Sequence, residues 1–185
     1  PYYHHAQGVL EHDRVDRYLL GYWAHIAHHQ TQGTFTAYEQ VPIRGWRERR
    51  EKADYCVPSE LTAPLMTRWM LVAEDPDADV LWLGRAAPRA WLRHDLAMKG
   101  ALTRWGPVGL RLSPAPDGRR FQASLTLPSS ARPTIMLRLR HPARLRLVEC
   151  RTTGARCEQL DARAEQVRLR PESDRIEMTL LYRPD

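Results

Sequence analysis

The sequence predicts an α+β protein in which helices come first and a β-sandwich follows. Three observations carry that prediction. Before Glu74-Asp75-Pro76-Asp77 the apolar residues recur at helical spacing, and after it they alternate as in β-strands, nearly to the end. The alternating part breaks into eight or nine short runs separated by Gly, Pro and Asp turns, which is the rhythm of a sandwich. The helical part is too small to hold a core of its own. The chain therefore reads as the C-terminal piece of a larger protein, with residues 1–76 the last helices of an α-domain and residues 77–185 a β-sandwich domain.

The first helix is expected over about residues 12–30. Val15, Leu19, Tyr22 and Ile26 form one apolar stripe, and Leu20, Trp23, Ala24 and Ala27 widen it, so the helix should be buried on most sides. Gly33 is a candidate C-terminal cap. Thr34 to Ala53 is irregular, and Arg44-Gly45-Trp46 with the charged run from Arg47 to Lys52 reads as an exposed loop. A second helix is expected over about 59–73, with Ser59 or Thr62 as N-cap and Pro64 in a tolerant first turn. Leu61, Leu65, Trp69 and Val72 make one stripe and Met66, Met70 and Ala73 another, so this helix needs neighbours on both sides.

Strands are expected over 80–85, 96–103, 108–112, 121–127, 134–140, 144–150, 167–170 and 175–182, with a helical turn over 88–92. Pro114-Ala115-Pro116-Asp117-Gly118 is a turn by composition. Cys150 and Cys157 flank Arg-Thr-Thr-Gly-Ala-Arg, which reads as a hairpin turn. Two readings stand for them: a bridge in an oxidising compartment, or two reduced thiols.

Charge separates the two halves. Residues 1–95 carry 11 Lys+Arg against 13 Asp+Glu, and residues 96–185 carry 17 against 9. A basic domain invites a nucleic-acid partner, but the placement argues against one. Arginines alternate with Leu or Val over 137–140, 144–147 and 167–170, which puts them together on the wet face of a sheet. No run approaches the roughly 18 apolar residues of a membrane span. The chain opens on Pro1 with neither an initiator Met nor a signal peptide, so a cut or processed start is expected.

Few residues suggest chemistry. His25, His28 and His29 could grip a metal from one helical face, but the glutamate of an HExxH pair is absent, so no metal is expected. They read instead as histidines at a helix end. There is no P-loop, GxGxxG, CxxC pair or Ser/His/Asp motif, and no cofactor is expected. The loop from Thr31 to Glu39 is richer. It mixes a glycine, the hydroxyls of Thr34 and Thr36, the rings of Phe35 and Tyr38, and the Glu39 carboxylate. Sugar sites use rings against apolar sugar faces and polar groups for hydroxyls and proton transfer. Glycoside hydrolysis uses two carboxylates. Glu39 is one candidate, with Glu11 or Asp13 as a partner or as helix caps. Trp82, Trp91 and Trp105 lie in the β-region, where exposed rings would make a carbohydrate platform.

The runs GTFTAYEQ (33–40), YCVPSELTAPLMTRWMLVAEDPDADVLWLGRAAPRAWL (55–92) and ALTRWGPVGLRL (101–112) resemble the C-terminal part of bacterial six-hairpin glycosidase-like proteins. Residues 137–182 resemble their closing strands, with Arg151-Thr152-Thr153-Gly154 where a Val-Asn-Gly turn is usual. The resemblance implies two terminal helices of an (α/α)6 toroid passing into an antiparallel β-sandwich that supports it. It implies a carbohydrate substrate and carboxylate acid/base hydrolysis, with the missing N-terminal toroid as partner. The Gly-Thr-aromatic-Thr-Ala-x-Glu loop would border the toroid cleft, with Glu39 catalytic and Thr34, Phe35, Thr36 and Tyr38 binding substrate. Alone, the chain is expected to have little or no activity. The alternative is a non-catalytic β-sandwich module that binds carbohydrate or a polyanion.

Overall fold

The computed structural model describes residues 2–31, 33–39 and 55–184. The chain divides into two compact units, residues 1–69 and 70–185.

The first unit is helical. The helix predicted over about 12–30 forms as α2, Val15–His29, and a further helix, α1, Tyr2–Glu11, precedes it. Residues 12–14 turn between them, with Asp13 at φ 56° and its N–H donating to Leu10 O at 3.0 Å. A left-handed residue there closes α1 as a helix C-cap does. Glu11 therefore ends a helix, where its carboxylate accepts from Gln7 Nε2 at 2.9 Å. The N-cap of α2 is Arg14, so neither Glu11 nor Asp13 caps it.

α2 buries Val15, Tyr18, Tyr22 and His25, while Leu20, Trp23, Ala24 and Ala27 are exposed, so it is covered on one face rather than most. Helix α3 runs Val57–Leu71. The N–H groups of Ser59 and Glu60 donate to Cys56 O, which places the helix start before both predicted caps. Pro64 falls inside the helix rather than in its first turn. Tyr18 Oη donates to Met66 O at 2.7 Å, and Tyr22 Oη lies 2.9 Å from Thr67 Oγ1, so two phenols tie α2 to α3.

The second unit holds ten strands: β1 Val72–Glu74, β2 Val80–Leu83, β3 Leu96–Thr103, β4 Gly106–Pro114, β5 Arg120–Thr126, β6 Thr134–Arg138, β7 Arg146–Thr153, β8 Ala155–Asp161, β9 Gln166–Pro171 and β10 Arg175–Arg183. A 3-10 turn, Arg89–Arg93, stands where a helical turn was expected. Two five-stranded sheets form, ordered β1-β2-β6-β9-β8 and β3-β4-β5-β10-β7. Residues 72 and 73, predicted as the end of a helix, instead pair with Leu83 and Trp82. The Asp75 carboxylate then accepts from the N–H groups of Asp77 and Ala78 and turns the chain into β2.

Alternation sets the core. Leu81, Leu83, Ile135, Leu137, Val167 and Leu169 of the first sheet join Leu110, Leu112, Phe121, Leu125, Met178 and Leu180 of the second in one buried cluster. Two sheets around one apolar layer is a sandwich. It is not wholly antiparallel: β2 and β6 run parallel, with Val80 opposite Thr134 and Leu83 opposite Leu137. The expected hairpin around residues 151–156 is also revised. β7 and β8 belong to different sheets, so Gly154 marks a crossing between layers.

The arginine pattern splits. Arg144, Arg146, Arg168 and Arg170 are exposed as expected, and Glu158 pairs with Arg168 at 3.3 Å and Arg170 at 3.9 Å. Arg138 and Arg140 are instead buried. Arg138 donates to Gln166 Oε1 through Nη2 at 2.8 Å, and Arg140 Nη2 donates to Ala87 O at 2.9 Å. A buried guanidinium needs acceptors of this kind.

Candidate functional site

The candidate residues around Glu39 lie in the segment that follows α2, whose backbone is closed on itself. Thr31 N–H donates to Thr36 O at 2.8 Å and Phe35 N–H to Thr31 O at 2.9 Å. Gly33 at φ 88° and Phe35 at φ 57° make the reversal, so Gly33 serves the loop while Gln30 is the helix cap. Two isolated bridges, Gln30 with Ala37 and Tyr38 with Tyr55, fasten the loop between the end of α2 and the start of α3. Ala37 is fully buried at that fastening.

This backbone brings some of the predicted residues together. Thr34 and Thr36 place their hydroxyls 3.0 Å apart. Tyr38 stacks on Tyr55, with ring centroids 4.8 Å apart and planes 26° from parallel. Phe35 is 64% exposed and Tyr55 55%, so both rings are open to solvent. Glu39 is exposed and follows Tyr38 directly. An exposed ring, two hydroxyls and a carboxylate on one loop, with a stacked tyrosine pair at its end, are groups that can stack on a sugar and accept its hydroxyl hydrogens. Tyr55 was not among the sequence candidates. Its partner is 17 residues away, and only the bridge between them reveals the pair. The charged segment around Arg44–Lys52 lies outside the described residues.

Beneath the loop, His25 is buried and stacks on His29 at 4.8 Å, and its Nε2 lies 3.2 Å from Ser59 O. His28 is exposed. Burial lowers the pKa of His25 below 6.5, and the charge of His29 lowers it further. Burial likewise lowers His29, helped by His28. A neutral, stacked pair supports the helix end by packing rather than by charge.

Two of the three tryptophans named in the β-region, Trp82 and Trp105, have an arginine over the ring. Arg85 covers the Trp82 ring at 4.4 Å and Arg104 covers the Trp105 ring at 4.3 Å, while Trp105 Nε1 donates to Asp79 Oδ1 at 2.8 Å. Each such cation–π contact takes one ring face away from a sugar. All three cysteines are free thiols. Burial, with Cys157 adding, pushes the Cys150 pKa up to about 12, so this thiol stays protonated at neutral pH.

A buried polar cluster lies in the sandwich unit. The Glu165 carboxylate is bound by Arg89 through both oxygens, with Nη1 to Oε1 at 3.0 Å, and Oε1 also accepts from His141 N at 2.6 Å. His141 Nδ1 accepts from Ala143 N–H at 3.1 Å, which leaves the proton on Nε2, 3.0 Å from Gly118 O. Burial lowers the His141 pKa.

No protein-family profile matches the chain, and no curated protein matches its sequence. Among solved structures, a GH127 β-L-arabinofuranosidase from Geobacillus stearothermophilus T6 aligns with 85% of this chain and 26% of its own, at 14% identity and a TM-score of 0.37. The chain thus spans about a quarter of that protein. The score is too low to establish a shared fold.

Proposed function

We propose that this chain is the C-terminal region of a glycoside-hydrolase-like, carbohydrate-active protein. In this reading residues 1–76 are the closing helices of an α-toroid, and residues 77–185 are a sandwich that supports it. The observation that carries the reading is the closed loop at 31–39, which carries the exposed Phe35 ring, the Thr34–Thr36 hydroxyl pair and Glu39, with Tyr38 stacked on Tyr55 just before α3. The need for partner helices is supported by Leu20 and Trp23 on α2 and by Val57 and Leu61 on α3, all at least half exposed. Large apolar side chains repeated on helix faces mark surfaces that other elements cover. Glu39 acts as one carboxylate of the acid/base pair, and its partner comes from the toroid.

The reading is tested in the parent protein. The frame upstream of Pro1 should encode further paired amphipathic helices. Glu39→Gln should lower kcat for a glycoside substrate by about 10²–10⁴-fold, while Tyr55→Ala should raise KM. A parent that hydrolyses glycosides unchanged by Glu39→Gln removes the catalytic role. A parent that neither binds nor cleaves any glycan removes the reading.

A further inference from the structure

At Gly154 the chain passes directly from β7 to β8, and each of these strands is the edge of its own sheet. Thr152 Oγ1 donates to Ala155 O at 2.6 Å across the crossing. Cys150 and Cys157 lie two residues outside that pair, one on each strand. Strand alternation keeps Cys150 on the face of Thr152, and Cys157 on the face of the buried Ala155.

The register fixes which way the thiols point. Cys150 stands opposite Leu180 on β10, and Cys157 stands opposite Leu169 on β9. Residues directly opposite in an antiparallel pair share a face, and both leucines are fully buried in the common core. Each cysteine therefore faces the layer between the sheets. Both pack against the core cluster, yet both stay half-buried, within reach of a small solute. The two thiols meet there: Cys150 is hydrogen-bonded to Cys157, whose Sγ donates in turn to Gln159 O at 3.7 Å.

We propose that Cys150 and Cys157 form a reversible disulfide that staples the edge of one sheet to the edge of the other. The oxidant is a small-molecule disulfide such as oxidised glutathione. The Cys157 thiolate attacks one of its sulfurs, and one glutathione leaves as thiolate. Cys150 gives up its proton and attacks Sγ of Cys157 in the mixed disulfide, and the second glutathione leaves. Two protein thiols are oxidised to one disulfide, one oxidised glutathione is reduced to two thiols, and the two protons pass to the leaving groups. Burial holds Cys150 protonated, which makes Cys157 the first to attack. Cys56 belongs to the helical unit, just before α3, and takes no part. The site belongs to the sandwich alone and does not depend on the reading given for the 31–39 loop.

The test is incubation of the full 185-residue chain with oxidised glutathione, then a count of free thiols in denaturant and peptide mapping without reductant. The count should fall from three to one, with Cys150 and Cys157 in one linked peptide and no glutathione retained. Dithiothreitol should restore all three thiols. Cys56→Ala should lose both of its remaining thiols in the same way. Cys150→Ser should instead keep glutathione on Cys157, because the resolving thiol is gone. The oxidised chain should melt about 3–8 °C above the reduced one. A chain that keeps three thiols, that retains glutathione without a bridge, or that links Cys56 overturns the proposal. Equal melting temperatures of the bridged and reduced chains overturn the staple.

Discussion

Gly154 sits at φ 82° where the chain leaves one sheet for the other, and its carbonyl accepts from the N–H groups of Glu172 and Ser173. A Cβ at that position would run into Arg175 O. Gly154→Ala is therefore expected to destabilise the chain by more than about 1 kcal/mol, read as a lower urea midpoint; an unchanged midpoint would refute the argument. Other single residues show what a sequence conceals. Alternation correctly assigns Arg138 and Arg140 to one side of their segment, but it cannot say whether that side is wet. Acceptors from distant parts of the chain, Gln166 and Ala87 O, decide the matter. Glu39, Thr34, Phe35 and Tyr38 were legible as a candidate cluster because their types and order are local. Tyr55 was not, because a stacked pair across 17 residues leaves no local signal.

Elements were legible where burial and pattern agree. β3 has the predicted bounds, and β4, β5, β9 and β10 differ from prediction by one or two residues at an end. Three elements escaped. Among the described side chains of α1, Ala6 and Leu10 are the buried apolar ones, too few for a periodic signal. β1 is three residues whose apolar character continues the pattern of α3. β8 is mostly exposed or half-buried, so its alternation is faint. The link between layers is stronger than pattern alone suggests. Tyr182 on β10 donates its hydroxyl at 2.7 Å to Leu139 O, just beyond β6 in the other sheet. Burial raises the Tyr182 pKa, which keeps that donor protonated. Tyr182→Phe leaves a buried carbonyl unanswered and should cost about 1–3 kcal/mol, measured by denaturant unfolding; a loss near zero would mean water takes the phenol's place.

At the scale of the whole molecule, three buried or half-buried histidines act in one direction. His25, His29 and His141 all have pKa values lowered below 6.5, chiefly by burial. The unfolded chain then binds more protons than the folded one as pH falls through and below 6.5, so folded stability falls with it. Protonating His141 Nδ1 would also remove the acceptor that Ala143 N–H uses. The melting temperature should drop between pH 7.5 and 5.5, a window above the ordinary carboxylate range. A melting temperature that is flat across it would show that these rings titrate alike in both states.

The parallel pairing of β2 with β6 carries a consequence for how the chain assembles. Val80 meets Thr134, and the whole of β3, β4 and β5 lies between them in sequence. Those three strands pair antiparallel with their immediate neighbours and can form early from short-range encounters. β2 and β6 must instead close the long loop that this meander occupies, which costs more chain entropy than a hairpin does. The meander is therefore expected to form before β2 pairs with β6, checked by φ-values that are larger for Leu110→Ala and Leu125→Ala than for Ile135→Val.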